Sequence, residues 1–212
     1  MQSASRRDFC FGPALDRDML HIKKNNFANS AIDQLNRILI HERRRSALPW
    51  GKFAQIVGKP LLILIDADSL SDQEISNKIK TLASQGLPLD IKVCANRSLE
   101  SAEVLTIHTL EKLELISPLK FKTVLDGANK ADLWLIQVGD EALSDPRFDG
   151  VIVLTQDRDL FPVLERWRAS SRAAFISPLR LDESGRHLVR RCDKIGFSVI
   201  DCSFNLITKE SL

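Results

Sequence analysis

Leu61-Leu62-Ile63-Leu64-Ile65 runs straight into Asp66-Ala67-Asp68-Ser69, and this stretch decides the fold class. An apolar run without polar alternation reads as a strand buried on both faces, the environment of a parallel sheet covered by helices. Two later stretches repeat the pattern. Phe121 to Leu125 leads to Asp126, with Lys130, Ala131 and Asp132 opening a helix-like segment, and Val151 to Leu154 leads into Thr155, Gln156, Asp157, Arg158 and Asp159. Open parallel sheets bind ligands beyond the carboxyl ends of their strands, so these acidic ends are expected to share one site. Carboxylates brought together repel unless they are protonated or hold a cation. A divalent site for Mg²⁺ or Mn²⁺ is therefore expected there.

Outward from the first run, strands and helices alternate. A helix through Ile75, Ile79 and Leu82 ends at Gly86 and Pro88, and a second strand covers Asp90 to Cys94. Ser98 opens a helix around Ala102 to Leu105, and Leu113 to Ile116 reads as either an edge strand or a loop. After the third strand, Phe121 to Leu125, a helix from Ala131 to Leu143 is expected to bury Leu133, Trp134, Ile136 and Gln137. The fourth strand, Val151 to Leu154, precedes a helix through Phe161, Val163, Leu164 and Trp167. Ala173 to Ile176, Ser184 to Cys192 and Phe197 to Ile200 complete the series as strand, helix and strand. The order predicts an α/β fold with a doubly wound, mostly parallel sheet.

The predicted boundaries are a basic, partly helical arm over 1–60, one main domain over 61–205, and a tail over 206–212. The arm holds 11 Lys or Arg against 5 Asp or Glu, with Arg43, Arg44, Arg45, Lys52 and Lys59 forming a positive run. Its two short helices, one through Ile32, Leu35, Ile38 and Leu39 and one through Phe53, Ile56 and Val57, read as a packing appendage. A basic arm beside an acidic domain also suits a protein that handles polyanions. The charged fraction of 27% and hydrophobic fraction of 44% are those of a folded globular chain, which excludes a disordered or fibrous one. Cys10, Cys94, Cys192 and Cys202 have no zinc-knuckle spacing and read as reduced thiols. His21, His41, His108 and His187 are dispersed, and Trp134 and Trp167 read as core, leaving Trp50 as a base-stacking candidate. Asp8, Asp16 and Asp18 interrupt any signal-peptide core, and no run is long enough to span a bilayer; a cytoplasmic location without membrane contact is expected.

The order LLILIDADSL, KADLWLIQVGDEAL, VIVLTQDRDLFPVLERWR and SGRHLVRRCDKIGFSVID, over about 61 to 202, resembles the NYN domain of the PIN-like nuclease superfamily, in its LabA-like branch. The resemblance implies a PIN-like, Rossmannoid fold and a metal-dependent endoribonuclease that hydrolyses RNA phosphodiester bonds. It implies catalytic and metal-holding roles for Asp66, Asp132, Asp157 and Asp159, and supporting roles for Asp68, Ser69, Lys130 and Thr155. Leu188 to Asp193 matches the family's closing segment. Ser69 stands where the family has Asn, and Gln156 and Arg158 stand where it has small residues.

The chemistry of the residues agrees with that implication. Mg²⁺ and Mn²⁺ take hard oxygen ligands, and a phosphodiester supplies more of them. Asp66 and Asp157, at strand ends, are expected as direct ligands, with Asp132 and Asp159 acting through water. Asp140 lies about 12 Å along the helix from Asp132 and cannot share the ion. Arg43, Arg44, Arg45 and Lys52 are expected to bind RNA, single-stranded or structured, and a homodimer is compatible with this reading. Lys130 has two readings of equal weight, pairing with Asp126 or Asp132, or contact with substrate. Ser69 likewise either positions a water or caps the helix after the first strand. Two other functions compete. IDADSL also reads as the nucleophile Asp66 and acid/base Asp68 of a haloacid dehalogenase-type phosphatase, although Ala95 and Asn96 supply no hydroxyl after the second strand. A catalytically silent RNA- or partner-binding module is the other.

Overall fold

The computed structural model describes residues 59–125 and 129–212. Residues 1–58 of the basic arm, with Arg43, Arg44, Arg45, Lys52, Trp50 and Cys10, lie outside them, as do His21, His41 and Asp126, whereas Lys59 is described and pairs with Asp149 at 2.9 Å. A 7-stranded sheet forms the centre, in the order β3-β2-β1-β4-β5-β6-β7. The strands are β1 (Leu61–Asp66), β2 (Leu89–Ala95), β3 (Leu119–Thr123), β4 (Gly150–Thr155), β5 (Ala173–Pro178), β6 (Ser198–Ile200) and β7 (Leu206–Ile207). All neighbours run parallel except β7, which returns antiparallel to β6. The helices are α1 (Asp72–Ala83), α2 (Glu100–Lys112), α3 (Lys130–Leu143), α4 (Phe161–Ala169) and α5 (Glu183–Ile195). The doubly wound α/β fold expected from the sequence is what the chain adopts.

The unbroken apolar runs explain the layering. Every residue of β1 and β4 is buried, because successive side chains of a central strand enter opposite faces and both faces are covered. Leu61, Ile63 and Ile65 pack with Ile75, Ile79 and Leu82 of α1 and Ala102 and Leu110 of α2. Leu62 and Leu64 pack on the other face with Leu135 of α3, Leu164 and Trp167 of α4, and Val189 of α5. Each such Leu or Ile contributes roughly 1.5–3 kcal/mol through burial alone, so this double-sided pattern outweighs any local helix preference of the strands. The α3–α4 contact depends on Gly139, where a Cβ would stand 2.7 Å from Val163 Cγ1. Trp167 Nε1 donates to the Gly139 carbonyl at 3.0 Å across that approach.

Several expectations need correction. The third strand begins two residues earlier than expected and is an edge, with alternating half-buried and exposed residues, so Leu125 falls beyond it and is exposed. An edge strand has one hydrogen-bonded neighbour, and the faces of β3 are less fully covered: Lys120 and Lys122 are exposed, with Lys120 over the Trp134 ring at 5.7 Å. Leu113 to Ile116 is a loop, and α2 extends through Lys112 ahead of it. In α3 the buried face is Ala131, Leu135, Gly139 and Ala142; Leu133 is 62% exposed and Gln137 is exposed, while Trp134 and Ile136 are half-buried. On that face Gly139 has no room for a larger side chain, since its Cβ would meet Val163 of α4 at 2.7 Å and Leu64 of β1 at 3.3 Å. Residues 206–212, read as a tail, supply β7 and a 3₁₀ turn. No described helix is long and apolar enough to cross a membrane.

Candidate active site at the strand carboxyl ends

The sheet winds outward from β1 to β2 and β3, then restarts on the other side with β4, so the chain diverges between β1 and β4. At such a divergence the following helices go to opposite faces and leave a crevice beyond the carboxyl ends of the two strands. Ile65 pairs in register with Leu154, which puts Asp66 level with Thr155 across the crevice. Thr155 Oγ1 donates to Asp66 Oδ2 at 3.2 Å and accepts from the Asp157 amide at 3.2 Å. The Asp68 amide donates to Asp66 Oδ1 at 3.3 Å, and the Asp159 amide to Asp157 Oδ1 at 2.8 Å. These bonds fold each acidic segment into a short turn that keeps its aspartates beside the crevice.

Asp66 is only 7% exposed. Burial raises its pKa from an ordinary 3.8 to about 6; the charges of Asp157 and Asp68 add to the rise, while the Asp68 amide and the Thr155 hydroxyl counter it. Asp132, in the first turn of α3, is raised from 3.8 to about 6 by burial first and then by Asp66, Asp157, Asp159 and Asp68. The positive end of α3 would lower the pKa of a lone aspartate there, so the desolvation and crowding outweigh it. The structure thus brings all four predicted aspartates, and Asp68, within electrostatic reach of one another. Among the described residues, however, no three acidic, His or Cys side chains approach closely enough to hold one metal ion. The donor set itself, carboxylate oxygen throughout, matches a hard divalent cation, and mutual repulsion is what such a cation relieves.

The supporting residues divide. Thr155 is buried and links Asp66 to the β4 turn. Asp68 is held by Asn96, whose amide and side-chain Nδ2 both donate to it. Ser69 is exposed, and its carbonyl accepts from Arg180 Nη2 at 2.9 Å. Capping of α1 falls to Ser71, not Ser69: Ser71 Oγ accepts from the Glu74 amide at 3.3 Å, while the Ser71 amide donates to Glu74 Oε2 at 2.8 Å. Lys130 is exposed and makes no ion pair among the described residues, so no pairing with Asp132 exists. Asp140 pairs with Arg166 at 2.6 Å between α3 and α4, clear of the crevice.

Three framework residues escaped the sequence reading. Asn96, just past β2, joins Asp68 to α3, since its Oδ1 accepts from the Ala131 amide at 3.2 Å. It supplies an acceptor for the start of α3, where Asn129 is left-handed, with φ 62°, and makes no side-chain cap of its own. Its place just past a strand carboxyl end is the sequence signal that points to it. Gln156 closes the loop before α5: its Oε1 accepts from the Arg180 amide at 3.1 Å, and its Nε2 donates to Asp182 Oδ1 at 2.7 Å. A small residue could make neither bond. Arg180 meets Glu74 through two bonds of 2.8 Å, tying the turn after β1 to the loop after β5 and holding the Glu74 carboxyl down at about 2.

No protein-family model matches the chain, and neither a curated protein nor a solved structure matches it.

Proposed function

We propose that the crevice between β1 and β4 is the active site of a divalent-cation-dependent ribonuclease that hydrolyses RNA phosphodiester bonds. The observation that carries this reading is the meeting of aspartates from three separate segments at one topological switch point, two of them with raised pKa values. A structural role accounts poorly for that arrangement, since crowding like charges around a buried carboxylate, Asp66, destabilises a fold unless function requires it. Asp66, Asp157, Asp132 and Asp159 would hold Mg²⁺ or Mn²⁺, which when bound supplies charge for the phosphate and lowers the pKa of a coordinated water. Thr155 fixes the orientation of Asp66, and Asn96 fixes the start of α3 and with it Asp132. Lys130, exposed in the first turn of α3, would meet a phosphate oxygen in this reading. The choice of RNA follows from the sequence resemblance.

The deciding experiment compares wild type and Asp157→Asn on mixed RNA with Mg²⁺, Mn²⁺ or EDTA. The wild type is expected to cleave only with a divalent cation. Asp157→Asn removes a charge at nearly constant shape and should abolish cleavage while the chain stays folded. Full activity in that variant, or a phosphate covalently trapped on Asp66 with a fluoride analogue, would overturn the proposal, the latter in favour of a phosphatase.

A further inference from the structure

A groove of about 1050 Å³ starts at Gln156, Asp157 and Arg158, on the turn that carries the acidic site, and follows α5 towards the last turn of the chain. Its α5 wall presents Ser184, His187, Arg191 and Lys194, positions three or four apart and so stacked along one side of the helix. Arg190 also lines it. From Ser184 to Lys194 this wall runs about 15 Å at ~1.5 Å per residue, enough for more than one phosphate of an extended strand. Arg158, Arg190, Arg191 and Lys194 are all exposed, and none makes an ion pair with another described residue. The acidic residue on this wall, Asp193, faces Lys209 at 3.7 Å. Four cations gathered along one groove repel one another, and a polyanion lying along them would relieve that repulsion. Ile195, 44% exposed, adds apolar surface at the far end of the groove, and the largely buried Leu188 also lines it. Unpaired bases have faces to lay on such a surface and on arginine planes, whereas a duplex shows a protein mainly phosphates and groove edges.

We propose that the α5 groove carries the backbone of single-stranded RNA away from the strand-end site, held by Arg158, Arg190, Arg191 and Lys194 irrespective of base sequence. The proposal rests on reading that site as one that cleaves phosphodiesters, and it moves a share of substrate binding from the N-terminal arm onto the domain itself. Gln156, the amide side chain that lines the groove, is occupied with the loop before α5 and is not free to read a base edge.

The test uses the full chain in EDTA, so that binding is read without cleavage. Fluorescence anisotropy with a labelled, unstructured oligouridylate is followed over a salt series for wild type and for the combined Arg190→Gln, Arg191→Gln, Lys194→Gln variant. The variant is expected to bind about tenfold or more weakly at moderate salt, and its slope of log affinity against log salt should fall by about 2, at ~0.7 per lost phosphate contact. Unchanged affinity and slope would overturn the groove, as would tighter binding of a duplex of equal length. Photocrosslinking of wild type with thiouridine-substituted RNA provides a readout independent of the variant's folding: a crosslink within residues 184–195 supports the proposal, and crosslinks confined to residues before 61 overturn it. Cleavage by wild type with Mg²⁺ or Mn²⁺ is scored separately. Groove-dependent binding without cleavage by any divalent cation removes the nuclease reading and leaves the groove, whereas Asp157-dependent cleavage with unchanged binding in the triple variant does the reverse.

Discussion

Asp66 shows how one residue can be set by two opposed demands. Its position at the end of a fully buried strand removes it from water, and the aspartates around it add repulsion, so its carboxyl is raised to about 6. Between an unfolded value near 3.8 and that folded value, the folded state binds more protons than the unfolded one. Stability contributed by protonated Asp66 is then present below about 4 and lost as pH rises through about 6, with Asp132 moving the same way. Glu74, lowered from 4.5 to about 2, works in the opposite sense: its contribution is present above about 4.5 and lost as pH falls through about 2, so it opposes the trend only at the acid end of this window. In EDTA the protein should accordingly melt higher at pH 5 than at pH 7.5. Asp66→Asn should stabilise the fold at pH 7.5, by on the order of 2–3 kcal/mol at most, so that the melting temperature rises and its pH dependence flattens. A lower melting temperature for that variant in EDTA would mean that its bonds to Thr155 and Asp68 outweigh the cost of burying the charge. This residue was legible from sequence, as an acid ending an apolar run; its raised pKa was not, because burial and the approach of Asp157 belong to the folded chain.

At the scale of the element, α1 separates two serines that the sequence made hard to tell apart. Ser71-Asp72-Gln73-Glu74 has the spacing of a capping box, and the chain uses it, with Glu74 also gripping Arg180. Ser71→Ala should therefore cost about 1 kcal/mol of stability, while Ser69→Ala should leave the melting temperature nearly unchanged. Urea denaturation of the two variants checks this; equal losses would show that the turn after β1 is stabilised as a unit instead of through its cap. The same contrast holds for the loop before α5. Gln156 anchors it from β4, and Gly185 lies so close to the Arg180 carbonyl that a Cβ would stand 1.8 Å from its oxygen. The helix after this loop was predictable from its periodicity. Its tether to β4 joins residues 24 and 26 positions apart, a separation at which local pattern carries no information.

For the whole molecule, the division of charge sets the expected behaviour with polyanions. Residues 1–60 are strongly basic, and the remainder is acidic overall yet gathers cations along the α5 groove. Neutralising Arg43, Arg44 and Arg45 together should weaken RNA binding and flatten its salt dependence, while largely sparing the single-turnover rate at saturating RNA. Unchanged affinity at low salt would assign the arm to packing. Sequence alone determined the α/β class, the central strands β1 and β4 and the four aspartates, because buried parallel strands require continuous apolar runs and the acids stand where those runs stop. Tertiary structure alone decided that β3 is an edge, that small residues of α3 face the sheet, that Asn96 and Gln156 bind the loops together, and that α5 lines a cationic groove. Each of these depends on which elements become neighbours once the sheet winds both ways from β1, and proximity between distant segments is a property of the assembled core, not of any window of sequence.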